Sequence, residues 1–96
     1  MAAYILVDAT VSDPEQYRAY QALTPAAVAA CGGEFVVRGA PAQVLEGDWV
    51  PNRVVVLRFP DLGSARRFYD SEQYVAARAA RAAATDIFNM ILVEGV

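Results

Sequence analysis

The sequence has no histidine and no lysine, and only one cysteine and one tryptophan in 96 residues. Without histidine there is no imidazole for a haem axial bond, a Ser-His or Cys-His pair, or an ordinary zinc site. Without lysine there is no Schiff-base chemistry and no P-loop phosphate ligand. The lone Cys31 cannot close an intramolecular disulfide, so no stapled secreted fold is signalled. Carboxylates are scattered without the spacing of a calcium loop, and the expectation is no metal and no cofactor. A formal charge of −3 argues against a sequence-independent nucleic-acid binder. No apolar run approaches the ~20 residues of a membrane span, and the N-terminus lacks the basic region of a signal peptide. A cytoplasmic protein with no membrane or nucleic-acid partner is the expectation.

What is present suits one small core. Hydrophobic residues make up 56% of the chain and charged residues 20%, a balance that excludes disorder and fits a single domain over 1–96. Residues 3–11 are β-branched and apolar and read as a strand. Asp13 can cap a helix starting at Pro14, with Gln16 where a capping box wants Glu or Gln. That helix bends at Pro25 and stops at Gly32-Gly33. Glu34–Arg38 reads as a second strand, Ala42–Glu46 as a short one, and residues 47–52 as a loop. Arg53–Phe59 is the strongest strand. Asp61 and Ser71 can cap two further helices, the second running to about Ala84, before a last strand over Asp86–Val93. The order β-α-β-β-α-β, with the second helix broken in two, is that of a ferredoxin-like α+β fold with an antiparallel sheet.

Side chains alternate across a strand, so each strand divides into two sets. Ile5, Val7, Ala9, Val11, Phe35, Val37, Val55, Leu57, Phe59, Phe88, Met90 and Leu92 form an apolar set suited to lie under the helices. The opposite set is nearly as oily, yet it includes Asp8, Arg38, Arg58 and Asn89. Left in water, that face would expose several hundred Å² of apolar surface, so two copies are expected to pair sheet to sheet and enclose a cavity. Two roles remain open for the charged cluster. It is either a structural ion-pair network in the interface or a site for a small anion, because buried charges are nearly always paired.

Certain stretches carry a resemblance: Gly32–Gly39, Leu45-Glu46-Gly47-Asp48-Trp49, Val54–Leu57 with Phe59-Pro60, then Ala65, Phe68-Tyr69, Ser71, Tyr74 and Arg81, ending in Val93–Val96. Together they resemble the bacterial family named domain of unknown function 1330, over essentially the whole chain. The family's pattern has a proline after the serine where this chain reads Ser71-Glu72. The resemblance implies a ferredoxin-like protomer that pairs into a dimeric α+β barrel. Its wider superfamily includes cofactor-free monooxygenases, small isomerases, haem-binding enzymes, and ligand-binding or stress proteins.

Several residues invite a functional role beside a plain one. Tyr74, Arg78 and Arg81 share a helical stripe, where a phenol beside guanidinium groups can bind a carboxylate or enolate. The plain alternative is solvated arginines over a packing tyrosine. Trp49 can wall a pocket or plug a dimer contact, and Glu46 is a candidate proton acceptor or a loop hydrogen bonder. Tyr17 and Tyr20 are read as core residues, and Cys31 as an inert small hydrophobe. Three functions follow. One is binding of a small anionic or oxygenated metabolite by a homodimer, with Arg38, Arg58, Asn89, Trp49, Tyr74 and Arg81 as its contacts. Another is an enzyme using Asp8 or Glu46 as base, and the last is a structural or stress-response dimer.

Overall fold

The computed structural model describes residues 1–96. Its elements are β1 (Ala3–Val11), α1 (Pro14–Ala30), β2 (Glu34–Arg38), β3 (Arg53–Phe59), α2 (Leu62–Asp70), α3 (Glu72–Ala80) and β4 (Thr85–Glu94). The sheet runs β2-β3-β1-β4 with every neighbouring pair antiparallel, and the helices pack on one of its faces. This is a ferredoxin-like α+β architecture.

Each helix starts on a side-chain cap. Asp13 accepts from the Gln16 backbone N–H at 3.1 Å, Asp61 from that of Ser64 at 2.7 Å, and Ser71 from that of Tyr74 at 3.2 Å. Each satisfies an N–H that would otherwise have no partner in the helix. Pro25 lies within α1 without ending it, and Gly32 supplies the left-handed φ of +73° that turns the chain toward β2. The core forms where period two in the strands meets the helical stripes. Ile5, Val7 and Ala9 of β1 and Leu57 and Phe59 of β3 pack under Val28, Phe68 and Tyr74. Phe68 is fully buried, its ring centroid 5.2 Å from that of Phe59 and 4.4 Å from that of Tyr74.

The structure corrects four local expectations. Ala42–Glu46 is an exposed loop rather than a strand. The alanine-rich helix ends at Ala80 rather than near Ala84: Ala83 takes a left-handed φ of 65°, and the buried Ala84 carbonyl accepts from the Ser12 and Asp13 N–H groups. Tying the chain to the β1–α1 turn outweighs alanine's helix propensity there. Gln16 closes no capping box. Its side-chain amide instead donates to the Ala80 carbonyl at 3.4 Å and to that of Ala82, capping the far end of α3.

The fourth correction bears on function. Phe35 pairs with Leu57, but Val37 pairs with Val56 and Arg38 with Val55, so β2 bulges at Val36. The Gly39 N–H, donating to the Val54 carbonyl at 2.8 Å, holds the shifted register. One extra residue reverses the facing of everything after it. Val37 therefore moves to the open face, and Arg38 moves to the helix side of the sheet, where it stays exposed.

Candidate functional site

On the open face the expected four-residue cluster does not assemble. Asp8 and Asn89 are cross-strand partners. The Asp8 carboxylate meets no arginine: it accepts from Trp49 Nε1 at 3.0 Å and from the Asn52 backbone N–H at 3.1 Å. Asn52 Nδ2 also donates to Thr10 Oγ1 at 2.8 Å. Asp8 and Thr10 thus hold the end of the long β2–β3 loop against the sheet. Trp49, 67% exposed, borders a hollow of about 140 Å³ with Leu6, Val54, Asn89 and Ile91. Arg58 shares this face but stands opposite Tyr4, four residues from the Asp8 position, or about 13 Å at the rise of a strand. Its partner is Glu34, at 3.4 Å in an exposed pair. Glu46 lies in the exposed loop.

The opposite face holds a more concentrated arrangement. Helix α1 packs chiefly against α3 and stands off the sheet on its large side chains. A slot opens in the gap, with Tyr17, Tyr20, Gln21 and Thr24 of α1 on one side. Across from them are Phe35, Arg38, Arg53 and Val55, with Leu57 and Met90 also in the lining. Arg38 lies over the Phe35 ring, its guanidinium carbon 4.2 Å from the centroid. Arg53, the first residue of β3, pairs with Ala9 and so points to the helix side. Its guanidinium rests on Gly39, where a built Cβ would come within 2.7 Å of Arg53 Cζ. Glycine leaves room for this cation and also permits the φ of +81° at that turn.

Behind the slot, Tyr20 and Tyr74 join hydroxyls at 2.6 Å, and Tyr74 Oη lies 3.8 Å from Met90 Sδ. Arg81 leaves the end of α3 to stack on Phe88 at 3.6 Å, with Tyr20 at 5.2 Å. Arg78 parts from it and lies over Tyr69 at 4.2 Å. The expected stripe therefore divides: Arg81 reaches Phe88 and Tyr20, while the Arg78 guanidinium lies 5.5 Å from the Tyr74 ring centroid. The ion pairs of the protein are Arg58–Glu34 and Arg66–Asp70. Arg53 and Arg81 have no carboxylate partner, and the Nε of each is buried without an acceptor. Both side chains are otherwise part-exposed, and the natural complement of a guanidinium without a carboxylate partner is an anion.

Tyr17 and Tyr20 are core residues, as their helical stripe indicates, but they also line the slot, and Arg53 was not among the residues the sequence singled out. The signal for Arg53 was available, since it shares the parity of Val55, Leu57 and Phe59. No comparable signal marks the bulge that turns Arg38.

Burial raises the phenol pKa values of Tyr17, Tyr20 and Tyr74, because a phenolate is poorly solvated there. Neighbouring tyrosine adds to the rise at Tyr17 and Tyr20, whereas Arg53 and Arg81 oppose it. With native values above those of the unfolded chain, the native state keeps protons that the unfolded state releases above about pH 10. The associated stability is complete below that pH and is lost as pH rises through the native values. Alkaline titration followed by tyrosinate absorbance is expected to show Tyr17, Tyr20 and Tyr74 ionising late, together with unfolding. Ionisation of these three near pH 10 with the fold intact would contradict this burial.

No helix is long and apolar enough to cross a membrane, and no three potential His, Cys, Asp or Glu ligands converge. No curated protein matches the sequence. Among solved structures, a protein of unknown function from Rhodopseudomonas palustris superposes with a TM-score of 0.76 at 20% identity, covering 99% of this chain and 82% of that one. A dimeric ferredoxin-like protein of unknown function from Jannaschia sp. CCS1 gives 0.74 at 16%, covering 99% and 100%. SnoaB, a cofactor-independent oxygenase from Streptomyces nogalater, gives 0.64 at 19%, covering 99% and 93%. At these identities the likeness is one of fold. Family membership rests on the sequence itself: the model of the domain of unknown function family DUF1330 matches residues 2–96, and the chain belongs to that family.

Proposed function

We propose that the protein is a homodimer in which each chain binds a small oxygenated anion in the slot between α1 and the sheet. The observation that carries the binding reading is Arg53, a cation seated on Gly39 with a buried, unpartnered Nε and no carboxylate beside it. Binding stands ahead of catalysis because the slot's lining includes no carboxylate. Its buried phenols, with raised pKa values, stay protonated near neutrality and donate hydrogen bonds rather than take protons. Asp8 is committed to Trp49 and Asn52 on the opposite face, which removes it as a base for this slot.

Two observations support pairing. Ile87, Ile91 and Val93 expose an apolar row on the open face of β4, and relatives of the same fold, such as the Jannaschia protein, are described as dimeric. Light scattering coupled to gel filtration is expected to give twice the 10.4 kDa chain mass, and a monomer at all concentrations would refute pairing. For binding, Met90 is a built-in reporter, since the only other methionine is Met1. With methyl-labelled methionine, a panel of small oxygenated acids is expected to shift the Met90 signal saturably while leaving Met1 in place. A Met90 signal that no member of the panel moves would leave the structural-dimer reading.

A further inference from the structure

We propose that the ligand class is a monocarboxylate with a flat apolar body, its carboxylate held by Arg53 and Arg38 and its body lying against Phe35, Leu57 and Met90. This deepens the slot reading above and rests on it. The charges of the slot are segregated. Arg38 and Arg53 both enter at the end where β2 leaves and β3 begins, the end joined by the Gly39–Val54 hydrogen bond. The remaining walls are apolar or neutral. The rest of the slot adds no cation: the Tyr20 hydroxyl is engaged with Tyr74, the Thr24 hydroxyl donates to the Tyr20 carbonyl at 2.7 Å, and Tyr17 and Gln21 are neutral. One carboxylate is therefore matched by cations and a second would be buried with neutral donors alone, a costly arrangement.

Shape narrows the class further. With Arg38 stacked on Phe35 the hollow is only about 30 Å³, room for a water molecule. A ligand enters when Arg38 swings off the ring, and the surface it vacates is the flat face of Phe35. A planar body takes the place of the guanidinium on that face, while Arg38, on its flexible stem, folds back to the carboxylate. Arg53 needs no such movement, because Gly39 already seats it. The bulge at Val36 is what gives the site its second cation, a recognised use of bulges in re-aiming side chains.

Benzoate, benzyl alcohol and phthalate, titrated against the Met90 methyl signal of the full-length protein, test the class. Benzoate is expected to bind about ten-fold or more tightly than the uncharged alcohol and more tightly than the dianion. Arg53→Gln is expected to weaken benzoate about ten-fold and leave the alcohol unchanged, with Arg53→Lys intermediate because it keeps charge without the fork. Arg18→Gln, an exposed change on α1, is expected to alter neither. Amide spectra of each variant establish that it is folded, and Arg53→Lys serves should Arg53→Gln fail to fold. Equal binding of benzoate and alcohol, or benzoate binding indifferent to Arg53, would overturn the monocarboxylate class while leaving the slot as a binding site. A Met90 signal unmoved by every probe would overturn the slot reading itself.

Discussion

Phe68→Ala is expected to cost about 3–5 kcal/mol, the range for removing a buried aromatic ring when the surroundings cannot close the gap. Phe68 is fully buried and sits against two other rings, Phe59 on the sheet and Tyr74 on α3. It anchors the nine-residue α2, whose other buried residues, Ser64 and Ala65, are small. Neither neighbouring ring is free to collapse into the void, because Tyr74 is held through its hydroxyl by Tyr20 and Phe59 lies at the end of β3. Domains of this size are stable by only about 5–15 kcal/mol, so the loss is a large fraction of the whole. At about 4–8 °C per kcal/mol the melting temperature falls by tens of degrees. Denaturant unfolding is expected to show a lower midpoint at an unchanged slope. Leu62→Ala, at the exposed start of the same helix, is the control. A Phe68→Ala loss no larger than that of Leu62→Ala would show that the ring stack does not organise the core.

Ile91→Glu is expected to convert the homodimer to a monomer. Ile91 lies on the open face of β4 opposite Leu6 and is 56% exposed in the single chain, so it is available to a partner sheet. Two-fold pairing brings the substitution in twice, placing a carboxylate from each copy in a region that offers mainly aliphatic side chains. Desolvating those charges without partners costs several kcal/mol, which weakens association on the order of 100-fold or more. Light scattering is expected to fall from twice the chain mass to once the 10.4 kDa value, with the far-UV spectrum retained. The slot is built from one chain on the other face of the sheet, so the monomeric variant is expected to keep its Met90 response to benzoate. A variant that stays dimeric would move the interface off this face.

Read from the amino acids alone, the element order, the helix caps and the inward set of the central strand are already determined. They depend on neighbours in the chain: Asp13, Asp61 and Ser71 cap N–H groups three residues ahead, and Ile5, Val7 and Ala9 face inward because a strand repeats every two residues. The lack of histidine and lysine limited the chemistry in the same direct way. The composition of the candidate site was settled only by tertiary structure. Arg38 changed faces because pairing with β3 absorbed one extra residue at Val36, and a bulge is a property of two strands rather than one. Asp8 bonded a loop more than forty residues away rather than an arginine on its own sheet. Arg53 and Arg81, far apart in sequence, were left without acids on the two sides of a tyrosine cluster. Periodicity reports which way a side chain points from its own strand or helix. The partner it meets depends on register and helix packing, which are set by contacts between distant parts of the chain.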